Sequence, residues 1–323
     1  MMRILRAAFA VLIVMGLIAA GLVFLTQRAI EVDAYKEVAI APRPTIDLPD
    51  AGLKFSILPT ATLTAPEGAM FEGGNWLKQR TMNHSAVLIC HPHAFVLFDT
   101  GLGRDIDSQF GEFPFITRMA FGYRKLTAAA DVIAKADPCP GRPLIIIPSH
   151  LHWDHAGGIE DFPNADVWIQ SMELQQARSG GVGQGFLPGE IDAKTIKWKP
   201  FSFSEKPYEQ FRRSLDVFGD GSLILVPMIG HTAGSVGLFI TAGGRRYFLT
   251  GDTTWAVEGF TRPAHKFFAA RAIADLDLPQ MEAEIVGVHR LMARDPDLIV
   301  IPAHDAAAYP ANATYPYWAG HQE

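Results

Sequence analysis

Three histidines and an aspartate fall within six residues in the stretch Ser149-His150-Leu151-His152-Trp153-Asp154-His155-Ala156-Gly157-Gly158. In an extended segment residues two apart point the same way, so His150 and His152 can reach one ion together. The turn that follows, eased by Gly157 and Gly158, presents Asp154 and His155 to a point nearby. Imidazole nitrogen and carboxylate oxygen are ligands that Zn²⁺ accepts. The stretch is preceded by Leu144-Ile145-Ile146-Ile147-Pro148, a β-branched apolar run closed by proline. That run predicts a buried strand ending in a loop.

Four more candidate segments stand just beyond apolar runs. Asp99-Thr100-Gly101 follows Phe95-Val96-Leu97-Phe98, and Gly230-His231-Thr232-Ala233-Gly234-Ser235 follows Leu223 to Val226. Thr250-Gly251-Asp252 closes a hairpin of Val236 to Ile240 and Arg246 to Leu249, and Pro302-Ala303-His304-Asp305 follows Leu298 to Ile301. Together with the histidine stretch these resemble, in order, the HxHxDH, DTG, GHTxGS, GD and PxH segments of the metallo-β-lactamase superfamily. The resemblance runs from about Phe55 to Asp305, most of the chain.

The resemblance implies a ligand set. His150, His152 and His231 would hold one zinc, and Asp154, His155 and His304 a second. Asp252 would bridge the two beside a shared water, and Asp99 and Thr100 would orient a ligand loop. Such ions leave an open position and lower the pKa of bound water to about 7. The implied activity is that of a dinuclear zinc hydrolase, opening a lactone or ester by a metal-bridging hydroxide, with Asp154 and Asp252 as the catalytic carboxylates. Iron or manganese could take the place of zinc.

Within the superfamily, class B β-lactamases lack the aspartate bridge, and many use a cysteine ligand. Glyoxalase II shares the seven ligands but carries a helical C-terminal domain, for which the nineteen residues after His304 leave no room. Ribonuclease Z and related nucleases need a phosphate-holding surface, and a net charge of −6 with pI near 6.0 offers none. The N-acyl-homoserine lactonases are the closest in pattern, since Asp252 follows His231 by 21 residues. One departure stands out: those enzymes place a tyrosine three residues after the bridging aspartate, where this chain has Trp255. Indole N–H donates a hydrogen bond but cannot act as an acid. The alternatives are β-lactamase-like, thioesterase or phosphodiesterase activity, or a non-catalytic, membrane-tethered metal module. The flavodiiron proteins share the fold, but they use an acidic residue where His152 stands.

Positioning these groups requires two packed sheets whose strand ends converge on one edge, with helices outside. The expected fold is therefore the four-layer αββα sandwich that the resemblance also implies. With 323 residues and 49% hydrophobic content there is ample core for it, over 53–323. Residues 1–28 are separate: Arg3 and Arg6 precede nineteen uncharged residues from Ala7 to Leu25. Such a run nearly spans a bilayer core of ~30 Å, with the N-terminus left in the cytoplasm. A transmembrane anchor is the expectation, with a cleaved signal ending near Ala19-Ala20-Gly21 as its rival. Either places the catalytic domain outside the cytoplasmic membrane, with a small molecule as substrate and no nucleic acid. Residues 29–52, with Pro42, Pro44 and Pro49, read as a linker.

Other features read as structural. Cys90 is expected to be an inert core thiol and Cys139 a loop residue, with no bond between them. His91 and His93, flanking Pro92, read as a solvated hairpin tip. Phe110, Phe113, Phe115, Met119, Phe121 and Tyr123 crowd an insertion that packs on the core or walls the metal site. A helix over Leu126 to Ala136 follows it. Ser179 to Gly189 holds five glycines and reads as a mobile loop. Glu282 to Arg294 carries a helical stripe of Ile285, Val288 and Met292, with His289 at its surface or behind the ligands.

Overall fold

The structure is a computed structural model that describes residues 2–26, 29–41 and 52–320. Among the described residues twelve strands form two sheets. The first sheet holds β1 (Lys54–Pro66), β2 (Gln79–Cys90), β3 (Phe95–Thr100), β4 (Arg124–Lys125), β5 (Leu144–Ile147), β6 (Asp166–Gln170) and β7 (Lys197–Phe201). Its order is β4-β1-β2-β3-β5-β6-β7. The second holds β8 (Leu215–Asp216), β9 (Leu223–Pro227), β10 (Val236–Ala242), β11 (Arg245–Leu249) and β12 (Ile299–Ile301), in the order β12-β11-β10-β9-β8.

Alternation along the strands sorts side chains into layers. Phe55, Ile57, Val96 and Phe98 of the first sheet meet Leu225, Leu238, Ile240 and Leu249 of the second in one buried cluster. Leu88, Leu97, Ile146 and Val167 point outward and are covered by residues such as Ala129, Leu174 and Ala177. The last two sit on the helix Ser171–Gly180. On the far side Ile224, Val226, Phe239 and Phe248 pack under Ile285, Val288 and Leu291 of the helix Leu278–Arg294. This is the expected sequence of helices, sheet, sheet and helices.

Two parallel pairs decide where the site lies. β3 runs parallel to β5, and β11 parallel to β12, so Asp99, the histidine stretch, Asp252 and His304 all leave carboxyl ends on one edge. Ligands gather at such ends in sheets of this kind. The sheets are stitched there by Val236 N–H to Ser149 O at 2.8 Å.

Several expectations need correction. Cys90 and Cys139 form a disulfide across 49 residues, with Cα atoms 5.6 Å apart. The chain after the helix Ala129–Ala136 folds back over the outer face of the first sheet and meets the end of β2, a proximity that spacing alone does not reveal. His91 is buried rather than solvated: its ring stacks on Phe218 at 3.8 Å, and Nε2 pairs with Asp220 Oδ2 at 2.8 Å. The β8–β9 turn of the other sheet covers the hairpin tip. The stretch from Ser179 to Gly189 is ordered into the 3-10 turn Gly181–Gln184 and the helix Pro188–Ile191, with Phe186 and Leu187 fully buried.

The N-terminal helix Met2–Thr26 forms, exposing Phe9, Leu12 and Leu17 among its described side chains. The expected transmembrane span finds no support: among the described residues no helix is long and apolar enough to cross a membrane. Residues 29–41, read as linker, lie against the domain. Ile30 is buried beside Phe248 and Phe260, and Ala41 N–H donates to Glu209 O at 2.9 Å. Pro42, Pro44 and Pro49 lie outside the described residues.

Candidate metal centre

The strand ends deliver two adjoining clusters. In the first, His150 Nε2 lies 3.1 Å from both His152 Nδ1 and His231 Nε2. In the second, His304 Nε2 lies 3.3 Å from both His155 Nε2 and Asp154 Oδ2. Asp252 stands between them, with Oδ1 at 3.0 Å from His304 Nε2 and 3.2 Å from His155 Nε2, and Oδ2 at 3.6 Å from His231 Nε2. All seven residues picked from the sequence are thus brought together.

The spacing suits a shared cation. Two nitrogens on one tetrahedral zinc, each at about 2.0–2.1 Å, stand roughly 3.3–3.4 Å apart. Without an ion, neutral imidazoles would aim lone pairs at one another. His150, His152 and His231 each lie within 4.8 Å of the others through one ligand atom. Burial and the neighbouring imidazoles hold His150 far below the ordinary histidine range, and burial with His231 beside it takes His152 to about 3. Both are therefore held in the neutral form that metal binding requires of a histidine. Burial opposes charge on His155 and His304 too, yet Asp252 and Asp154, joined by Asp99 at His155, outweigh it and push both upward. The second cluster thus attracts positive charge. The donor set fits a pair of zinc ions.

Partners behind the clusters fix the rings. Asp99, held at φ 57°, accepts from Ser149 N–H at 2.5 Å and pairs with His155 Nδ1 at 2.8 Å. Thr100 Oγ1 donates to His155 O at 2.9 Å. Both residues therefore support the histidine turn, as expected. Gly251 adopts φ +54°, and a Cβ there would lie 3.2 Å from Ser149 Cβ, so the turn before Asp252 requires glycine. His289 turns away to bond Phe260 O at 2.8 Å.

Four participants escaped the sequence reading. His84 on β2 pairs through Nδ1 with Asp154 Oδ2 at 3.0 Å and, with Asp154 and His304, makes a third grouping capable of holding metal. Its place in a strand, just before the apolar run Ala86–Cys90, was the available signal. Asp275 pairs with His231 Nδ1 at 2.7 Å and accepts from the fully buried Lys266 at 2.5 Å. Glu173, also fully buried, accepts from Leu151 N–H, Thr232 Oγ1 and Gly234 N–H, joining the two ligand loops. Nothing local marks Asp275, Lys266 or Glu173, because their partners lie far away in sequence.

The aromatic insertion divides. Phe110 and Phe113 are buried against Trp153, whereas Phe115, Ile116 and Met119 of the helix Phe115–Ala120 are 66–79% exposed. Phe121 meets the Trp255 ring edge-on at 6.2 Å, so the insertion does reach the wall of the site.

Comparison with known proteins agrees with this geometry. The metallo-beta-lactamase superfamily profile matches residues 80–304. The chain belongs to the metallo-beta-lactamase superfamily. It is 30% identical over 257 residues to the probable metallo-hydrolase Rv2300c of Mycobacterium tuberculosis, covering 71% of this chain and 79% of that one. It is 27% identical over 167 residues to the N-acyl homoserine lactonase AttM of Rhizobium radiobacter, covering 51% of this chain and 59% of that one. The fold is shared with B. thuringiensis AiiA, a mutant solved with N-decanoyl-L-homoserine at its active site. There the TM-score is 0.62 at 19% identity, covering 82% of this chain and 98% of that one. The chain is accordingly a metal-binding hydrolase of this superfamily.

Proposed function

We propose that this metallo-hydrolase uses two zinc ions to open lactones or esters, with N-acyl homoserine lactones as the leading substrate class. The observation that carries the reading is Asp252, whose two oxygens face the two histidine clusters. His150, His152 and His231 would hold one ion, and Asp154, His155 and His304 the other, with Asp252 shared. Such ions polarise a carbonyl oxygen and supply hydroxide at neutral pH. The likeness to AttM supports the substrate class.

The chain's own residues have defined tasks in this reading. Asp99 and Asp275 keep His155 and His231 oriented by bonding their Nδ1 atoms. Trp255 spends its single N–H on Asp252 Oδ2 at 2.8 Å, so it steadies the shared carboxylate and leaves no donor for the substrate carbonyl. Phe121 and Trp255 offer an apolar wall for an acyl chain.

We also place the domain outside the cytoplasmic membrane, delivered by a cleaved signal within residues 1–28. The Cys90–Cys139 disulfide supports an oxidising compartment. Fractionation of cells that express the chain tests this placement, and a cytoplasmic, reduced protein would refute it.

The test of activity is turnover by the zinc-loaded chain on a panel of lactones, β-lactams, thioesters and phosphodiesters. Preference for acyl lactones is expected. A preference for phosphodiesters or β-lactams would overturn the reading.

A further inference from the structure

A buried, unpartnered carboxylate lies against the turn that follows Asp154 and His155. Glu190, on the helix Pro188–Ile191, has no exposed surface, and neither of its carboxylate oxygens has a hydrogen-bond partner. Its Oε1 lies only 3.2 Å from where a Cβ on Gly157 would stand, so the carboxylate presses against the turn itself. Gln109, 9% exposed, likewise leaves its Oε1 without a partner. The Gln109 nitrogen donates to Glu160 Oε1 and lies 3.9 Å from where a Cβ on Gly189 would stand, next to Glu190. Three buried oxygens on neighbouring segments are therefore orphaned, beside a second carboxylate.

We propose that Glu190, Glu160 and Gln109 form a binding site for a hard divalent cation of the calcium type. The donors are all oxygens, and calcium accepts six to eight of these in irregular geometry, with water filling the remainder. Zinc at a structural site favours nitrogen and sulfur, and magnesium demands a near-ideal octahedron. Burial pushes the Glu190 carboxyl well up, and the charges of Glu160, Asp154 and Glu112 add to it with no opposing cation. A proton on Glu190 would engage its own hydroxyl and one acceptor and leave the third oxygen unpartnered, whereas a cation would satisfy all three. Gln109 belongs to the helix Ile106–Gln109 and Glu160 to the turn Ile159–Asp161. The ion would thus pin the aromatic insertion and the helix Pro188–Ile191 to the segment that follows His155.

The test uses the zinc-loaded full chain. Calcium chloride should raise its melting temperature saturably, by about 2 °C or more. Glu190→Gln should lose that rise while keeping the zinc content of the wild type. Terbium should give tryptophan-sensitised emission that calcium displaces, since Trp153 packs in the same apolar cluster as Leu187, and Glu190→Gln should lose the emission. No rise in the wild type, or an equal rise in Glu190→Gln, overturns the proposal. If Glu190→Gln does not fold, Glu160→Gln carries the same comparison. Should Glu190→Gln melt higher than a calcium-insensitive wild type, Glu190 is a neutral acid and the site is refuted.

Discussion

The indole Nε1 of Trp255 donates to Oδ2 of Asp252 at 2.8 Å, tying the pocket wall to the carboxylate between the histidine clusters. Hydrogen bonds to charged groups contribute about 1.5–3 kcal/mol. Trp255→Phe keeps a ring and removes the donor. Turnover should fall roughly tenfold to a hundredfold with zinc content retained. Unchanged turnover at equal metal content would reduce Trp255 to a wall residue, in which case Trp255→Ala alters substrate preference alone.

Asp252→Asn preserves shape but removes the charge that faces both clusters. Turnover should drop by several orders of magnitude and zinc content should fall, with the fold retained. A residue that merely shaped the turn would cost about 1 kcal/mol of stability and little rate. Metal analysis, melting temperature and lactone turnover on one preparation separate the two roles.

Lys266 and Asp275 form an ion pair with no exposure on either side chain, behind His231. Lys266→Met leaves Asp275 buried without its cation and should cost about 3–5 kcal/mol in denaturant unfolding. Zinc affinity should weaken roughly 10–100-fold as the orientation of His231 loosens. Lys266→Met with Asp275→Leu should regain stability but not zinc affinity. If the double variant binds zinc normally, the pair is structural and does not orient the ligand.

The Cys90–Cys139 bond closes a loop of 49 residues. Constraint of the unfolded chain predicts a stabilisation of about 4 kcal/mol. Cys90→Ala with Cys139→Ala should therefore melt well below the wild type while binding the same zinc. A thiol titration that finds two free sulfhydryls in the native protein would remove the basis for this expectation.

Glu284, half-buried on the helix Leu278–Arg294, is pushed by burial to about 8, against the hydrogen bond from Gln280. A raised folded-state value favours the protonated form. That stability is complete below the unfolded value near 4.5 and is lost as pH rises through about 8. Glu284→Gln should therefore melt closer to the wild type in mild acid and above it in mild alkali. An identical melting difference at both extremes would place Glu284 in solvent.

The seven site residues were legible in the sequence because their segments resemble those of the superfamily, and each segment stands beyond an apolar strand. A short apolar run ending in His150, Asp252 or His304 carries its own strand signal, and strand ends point where the topology sends them. The layer order was legible for a related reason: unbroken apolar runs such as Phe95–Phe98 and Val236–Ile240 require a covered face on each side. The aromatic insertion was legible only as a choice, since Phe113 and Phe115 are alike in type and only packing buries one and exposes the other.

What the tertiary structure alone decided are the contacts between segments far apart in the chain. Cys90 meets Cys139, His91 meets Asp220, His84 meets Asp154, and Lys266 with Asp275 backs His231. No periodicity marks these residues, because each partner is brought in by a crossover or a returning loop and not by its own element. A local pattern determines which residues end a strand. Only the folded path of the whole chain determines what stands opposite them, and so which charges are neutralised and which buried groups, Glu190 among them, are left in want of a partner.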